Sequence, residues 1–179
     1  VSDQCRLCSY LQLQQGEDAM PAIDRCDPAY EYFSLTVVRY ARSSRFGKLW
    51  ALITLSPIYL AVAFATLLVM RRDLQTFILV AGHAVDLGVN FLLKQWVDEP
   101  RPEGCVVGGS GNPSNHAEFM AFFATYCTVY LWSSTSHGRL FKAAVSAGLV
   151  GWTAAVGLSR VHLECHTVPQ VAAGAALGS

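Results

Sequence analysis

From Leu49 to Met70 the chain carries no charged residue, and the run closes on Arg71-Arg72-Asp73. A stretch of that length can cross a bilayer, which takes about 20 apolar residues. Lipid offers no partner to a backbone amide, so the stretch is predicted to be a helix. Three further runs follow, Thr76 to Leu93, Ala117 to Trp132 and Ala143 to Leu158. The last holds Gly148, Gly151 and Gly157, small residues that let helices approach closely. A fifth run starts at Thr167, and the chain ends at Ser179. At about 1.5 Å per residue that run reaches only about 20 Å into about 30 Å of hydrocarbon. The expectation is an all-α polytopic membrane bundle over residues 48–179, truncated after the start of its fifth span. Pro57 is expected to kink span one, as membrane helices tolerate. Residues 1–47 show no steady period and are read as a peripheral, poorly ordered segment.

Composition agrees with this reading and excludes others. Hydrophobic residues make up 53% of the chain and charged residues 15%, against about 25% charge in soluble domains. The net charge is zero, so no pull toward nucleic acid is implied. Six cysteines are scattered along the chain and do not suggest a disulfide framework. Cys5-x-x-Cys8 has no second pair at zinc spacing, so no metal site is expected.

Polar chemistry gathers at three span ends. Lys94-Gln95-Trp96-Val97-Asp98-Glu99-Pro100-Arg101-Pro102 closes span two, Pro113-Ser114-Asn115-His116 opens span three, and Ser159-Arg160 with His166 links spans four and five. Two crossings separate the second group from the third, so all three reach one membrane face. Arg71, Arg72, Arg139 and Lys142 lie on the other face and are read as interfacial anchors. His137 and His162 are read as ordinary interfacial residues. Within span two, His83, Asp86, Asn90 and Lys94 fall on one helical stripe. Lipid would reject that stripe, so it is expected to face the bundle interior and lead to the Lys94 ammonium.

The pattern Lys94-x6-Arg101-Pro102, Pro113-Ser114-Asn115-His116, Ser159-Arg160-x5-His166 resembles the phosphatidic acid phosphatase type 2 superfamily. Within it the chain looks most like the dolichyldiphosphatase branch, from about Phe33 onward. That closer likeness rests on Arg72-Asp73-Leu74-Gln75-Thr76, Gly88-Val89-Asn90-Phe91-Leu92-Leu93-Lys94, Asp98-Glu99-Pro100-Arg101-Pro102 and His166-Thr167-Val168-Pro169-Gln170. Asn115 stands where the superfamily usually has Gly, and Gln170 where it usually has Asp. Gln at that position resembles the dolichyldiphosphatase branch.

The residues suit phosphate chemistry without a cofactor. Phosphoryl transfer is catalysed mostly by positioning and electrostatics. Arg101 and Arg160 offer planar forks for phosphate oxygens, and Lys94 offers a point charge. Ser114, Asn115 and backbone N–H groups at the start of span three can cradle another oxygen. The resemblance implies that His166 is the nucleophile and His116 the acid and base. Gln170, one helical turn after His166, would orient it through a hydrogen bond.

The implied reaction is hydrolysis of dolichyl diphosphate, with a polyprenyl lipid and the bilayer as partners and no metal or cofactor. Basic residues outside the motifs tie between the two faces, so charge does not orient the chain. A lumenal site in the endoplasmic reticulum membrane is what the resemblance implies. Two alternatives stand beside it: a phosphatase of another lipid phosphate or polyprenyl diphosphate, and a non-catalytic relative that binds lipid phosphate. No protein partner is indicated.

Overall fold

A computed structural model of the chain describes residues 30–33, 38–41, 45–103, 105 and 108–179. The Cys5-x-x-Cys8 pair and most of the N-terminal segment lie outside these residues.

Among the described residues six helices carry the fold. The first, α1 (Gly47–Thr54), is followed directly by α2 (Ser56–Arg71). Their break falls at Leu55, where Pro57 occupies the first turn of α2 and supplies no N–H. Ser56 Oγ donates to the Ile53 carbonyl at 2.6 Å and covers the gap. This is the expected interruption of span one, placed two residues before the proline.

Next comes α3 (Leu74–Val97), capped by Asp73, whose Oδ1 accepts from Thr76 N–H at 2.7 Å. That backbone bond, with Arg71 at 2.8 Å, holds the Asp73 carboxyl below the usual carboxylate range. The chain continues through α4 (Asn115–Ser134), α5 (Arg139–His162) and α6 (Val168–Leu177).

Among the described residues three helical stretches are long and apolar enough to cross a membrane: Gly47–Arg71, Leu74–Val97 and Arg139–His162. The expected third span is α4, a helix of 20 residues that packs against α3, α5 and α6. Its first half is largely buried and includes polar Glu118, so its apolar character is diluted on the side that meets protein. Large apolar side chains such as Val62, Phe77, Phe91, Leu92 and Leu158 point outward, as a lipid-facing surface requires.

The core is built from Phe64, Phe119, Met120 and Val156, contributed by α2, α4 and α5. The polar stripe of α3 turns inward as expected. His83 is buried among the rings of Phe119 at 4.1 Å, Phe122 at 4.6 Å and Phe64 at 5.1 Å. Asn90, fully buried, donates from Nδ2 to Glu118 Oε2.

Two features depart from expectation. A two-stranded antiparallel hairpin precedes the bundle, β1 (Tyr30–Phe33) with β2 (Val38–Ala41), Tyr30 opposite Ala41 and Phe33 opposite Val38. Tyr40 is buried against Ala51 and Leu163, so part of the segment read as irregular is docked on the helices. Lys142 is not a surface anchor: it is 8% exposed, and its Nζ donates to the carbonyls of Thr135 at 2.7 Å and Trp132 at 3.3 Å. A lysine there satisfies carbonyls left open at the C-terminus of α4. Arg71, Arg72 and Arg139 are exposed, as are His137 and His162.

Candidate active site

The site gathers where α3 ends and where α4 and α6 begin. A left-handed Asp98 stops α3, its N–H returning to the Lys94 carbonyl at 3.0 Å. The loop that follows carries Arg101 and returns through Gly111 to α4. On the far side α5 delivers Arg160 at its last turn. The Arg160 carbonyl then accepts from the N–H groups of Cys165 at 3.0 Å and His166 at 3.2 Å. That tight turn sets His166 just ahead of α6.

His166 is 3% exposed and held at both ring nitrogens. Nδ1 lies 2.9 Å from the Gly111 carbonyl oxygen and 3.3 Å from Gln170 Oε1. Both are acceptors, so Nδ1 carries the proton and donates. Nε2 therefore presents a lone pair, 3.5 Å from Arg101 Nη1. Burial, followed by the charges of Arg160 and Arg101, pushes the imidazole pKa down to about 3. A neutral ring with a fixed tautomer and an unprotonated Nε2 is what a nitrogen nucleophile requires.

Gln170 is fully buried and fully used. Its Oε1 accepts from Thr167 N–H at 3.2 Å, half of a capping box that starts α6. Its Nε2 donates to Glu99 Oε1 at 2.9 Å and to the Pro100 carbonyl at 3.1 Å. Glu99 Oε2 accepts in turn from Asn112 Nδ2 at 2.6 Å. Glu99 and Gly111 were not singled out from the sequence. Glu99 stands inside a quoted motif but reads there as part of a turn. Gly111 is required by space: a Cβ at this position would sit 2.8 Å from Gln170 Oε1 and 3.0 Å from Arg101 Cγ.

The other expected residues divide. Ser114 is fully buried at the N-cap of α4, its N–H donating to the Gln170 carbonyl at 3.1 Å. Its hydroxyl does not cap the helix, and Ser114 Oγ has no partner among the described residues. The same holds for Arg101 Nε and Arg160 Nε. Buried donors are normally satisfied, and these three are left over on residues of the three motifs.

Arg160 is 6% exposed, and its Nη1 donates to Thr54 Oγ1 at 3.1 Å. Lys94 is half-buried and feels the charges of Arg101, Glu118 and Arg160. His116 feels Arg160, His166, Arg101 and Lys94. Asn115 is exposed at the first residue of α4, and the structure leaves its side chain outside the buried cluster.

Helix α6 is laid onto α4 by two glycines. A Cβ on Gly174 would overlap the Ser114 carbonyl oxygen, and one on Gly178 the Glu118 carbonyl oxygen. This small-xxx-small contact sets His166 and Gln170 beside the start of α4.

Comparison with known proteins bears on this arrangement. The model of the PAP2 superfamily matches residues 75–179. Dolichyldiphosphatase 1 of Mus musculus is 36% identical over 175 residues, covering 92% of this chain and 71% of that protein. Lipid phosphate phosphatase gamma of Arabidopsis thaliana is 35% identical over 152 residues, 81% of this chain and 67% of that protein. Among solved structures, the PAP2 type phosphatidylglycerolphosphate phosphatase of Bacillus subtilis superposes with a TM-score of 0.61 at 22% identity. That match covers 73% of this chain and 70% of the other.

Proposed function

We propose that this chain, which belongs to the PAP2 superfamily, hydrolyses dolichyl diphosphate to dolichyl phosphate and phosphate through a phosphohistidine on His166. It is a multi-pass membrane lipid phosphatase. The observation that carries the covalent step is the His166 ring, with Nδ1–H bound by Gly111 and Gln170 and Nε2 open toward Arg101.

In this reading the terminal phosphate sits among Lys94, Arg101, Ser114 and Arg160, with the N-terminus of α4 at one oxygen. Nε2 attacks phosphorus, and the bond to the bridging oxygen breaks. His116 gives a proton to the departing dolichyl phosphate. His116 then takes a proton from water, which attacks phosphorus and breaks the P–N bond. Free phosphate leaves and His166 is regenerated. The three fixed cations serve where other phosphoryl-transfer enzymes use magnesium, so the reaction proceeds without metal.

An apolar groove of about 620 Å³ supports a lipid substrate. Its lining includes Ala117 and Val168, close in sequence to His116 and His166, together with Val161, Ala124 and Val150. A polyprenyl chain laid there would keep its diphosphate at the cluster. The relatives named dolichyldiphosphatase favour dolichyl over other lipids. The enzyme would then recycle the carrier lipid of protein N-glycosylation on the lumenal face of the endoplasmic reticulum membrane.

The test uses purified protein with dolichyl diphosphate labelled in its terminal phosphate, in the presence of a chelator. An acid-labile, base-stable phosphoprotein should be trapped from the parent and be absent from His166→Ala. Phosphatidate and shorter polyprenyl diphosphates serve as competitors. A strict metal requirement, or labelled protein from the His166→Ala variant, would sink the mechanism.

A further inference from the structure

We propose that Cys105 and Cys165 form an intramolecular disulfide that ties the Arg101 loop to the turn carrying His166. The cysteines looked scattered in the sequence, yet the fold brings these two together. Their Sγ atoms lie 2.7 Å apart although the residues are 60 apart in the chain.

Both backbones are anchored. Cys105 N–H donates to the Pro102 carbonyl at 3.0 Å, and Cys165 N–H to the Arg160 carbonyl at 3.0 Å. Cys105 is buried and Cys165 half-buried. Each follows or precedes a residue of the phosphate cluster: Arg101 Nη1 is 3.9 Å from Cys105 Sγ, and Cys165 is the neighbour of His166. Bonding the two sulfurs therefore fixes Arg101 relative to His166 in the arrangement they already have.

The Cys105 sulfur and burial push the Cys165 thiol up, so Cys165 keeps its proton. The Arg101 guanidinium lies 3.9 Å from the Cys105 sulfur, where it would favour a thiolate during exchange. In the presence of a low-molecular-weight disulfide such as oxidised glutathione, the Cys105 thiolate attacks one sulfur and expels one glutathione thiolate. Cys165 then loses its proton, its sulfur attacks Cys105 in the mixed disulfide, and the second glutathione leaves. Two protein thiols are oxidised and one external disulfide is reduced to two thiols. A compartment rich in such oxidants is where structural disulfides persist. The inference stands whichever lipid is the substrate.

The experiment is peptide mapping. Detergent-purified protein is incubated with oxidised glutathione, remaining thiols are blocked with N-ethylmaleimide under denaturing conditions, and peptides are analysed by mass spectrometry. A peptide pair joined through Cys105 and Cys165 is expected, lost on reduction and missing from Cys165→Ser. The link closes a long loop, so reduction should lower the melting temperature of the oxidised parent by roughly 5 to 10 °C. The Cys165→Ser variant should not respond. N-ethylmaleimide on both residues, a glutathione adduct that goes no further, or pairing of Cys105 with another cysteine overturns the proposal. A parent melting temperature indifferent to reductant overturns it as well.

Discussion

Glu99 and Gln170, 71 residues apart in the chain, meet at 2.9 Å, the carboxylate accepting from the amide nitrogen. The Pro100 carbonyl takes a second bond from that nitrogen at 3.1 Å. Both amide protons are then spent away from His166, and the Gln170 oxygen has to face the imidazole. The superfamily's usual Asp would face His166 unaided. Here an amide does so because a carboxylate behind it fixes which way it points.

This arrangement predicts a rescue. Gln170→Glu sets two carboxylates against each other and should lower kcat about 10 to 100-fold, the usual scale for a lost orienting contact. Adding Glu99→Gln restores one donor between two acceptors, and activity should recover at least in part. Steady-state kinetics of the two single variants and the pair will decide it. Purely additive losses would show that Glu99 does not act through Gln170.

Gly111→Ala probes the same centre through space. The new methyl would press on Gln170 Oε1 and on Arg101 Cγ, displacing two side chains of the proposed site together. Misplacement of about 1 Å can cost about 100-fold, so kcat/KM should fall by about that factor while the helical circular dichroism is kept. An unchanged kcat/KM would mean that the loop relaxes freely.

The His166 pKa, held at about 3 by burial and the two arginines, predicts a pH signature. The unfolded value is about 6.5, so the unfolded chain takes up the proton first as pH falls. The folded state thus keeps its full contribution above about pH 6.5 and loses it steadily toward pH 3. At pH 5 the loss is about 2 kcal/mol. His166→Asn should flatten that part of the stability profile. Arg101→Gln removes one of the charges that hold the ring neutral, so the His166 resonance should titrate at higher pH than in the parent. A parent ring that titrates near 6.5 by NMR would contradict this picture.

Gly174→Val tests the seat of α6. The side chain has no room against the Ser114 backbone, and overpacking of that kind typically costs about 1–3 kcal/mol. The melting temperature should drop and activity fall with it. Gly148→Val, where a Cβ meets nothing within 4 Å, is the control and should leave both unchanged.

Much of this architecture could be read before any coordinate. Charge is excluded from hydrocarbon so strongly that Leu49–Met70 announces itself, and the parity of the spans brings Lys94, Ser114, Arg160 and His166 to one face. The stripe from His83 to Lys94 turned inward for the same reason. What escaped depended on distance in space rather than pattern in the chain. Glu99 acquires its role only when α6 is docked, Gly111 only when Arg101 and Gln170 crowd it, and the Cys105–Cys165 contact only when their two loops meet. The hairpin escaped because two strands of four residues are too short to display a period. Lys142 misled because a basic residue at a span end reads alike whether it reaches for water or for the carbonyls of α4.

Ser114 stands where a helix is ordinarily closed by its own hydroxyl, a contact worth about 1 kcal/mol, and withholds it. The start of α4 thus keeps its first-turn N–H groups for an acceptor other than its own N-cap. In the proposed reaction a phosphate oxygen would be that acceptor, and the Ser114–Gln170 backbone bond would tie its binding to the start of α6. Substrate binding and the seating of α6 would then share one joint.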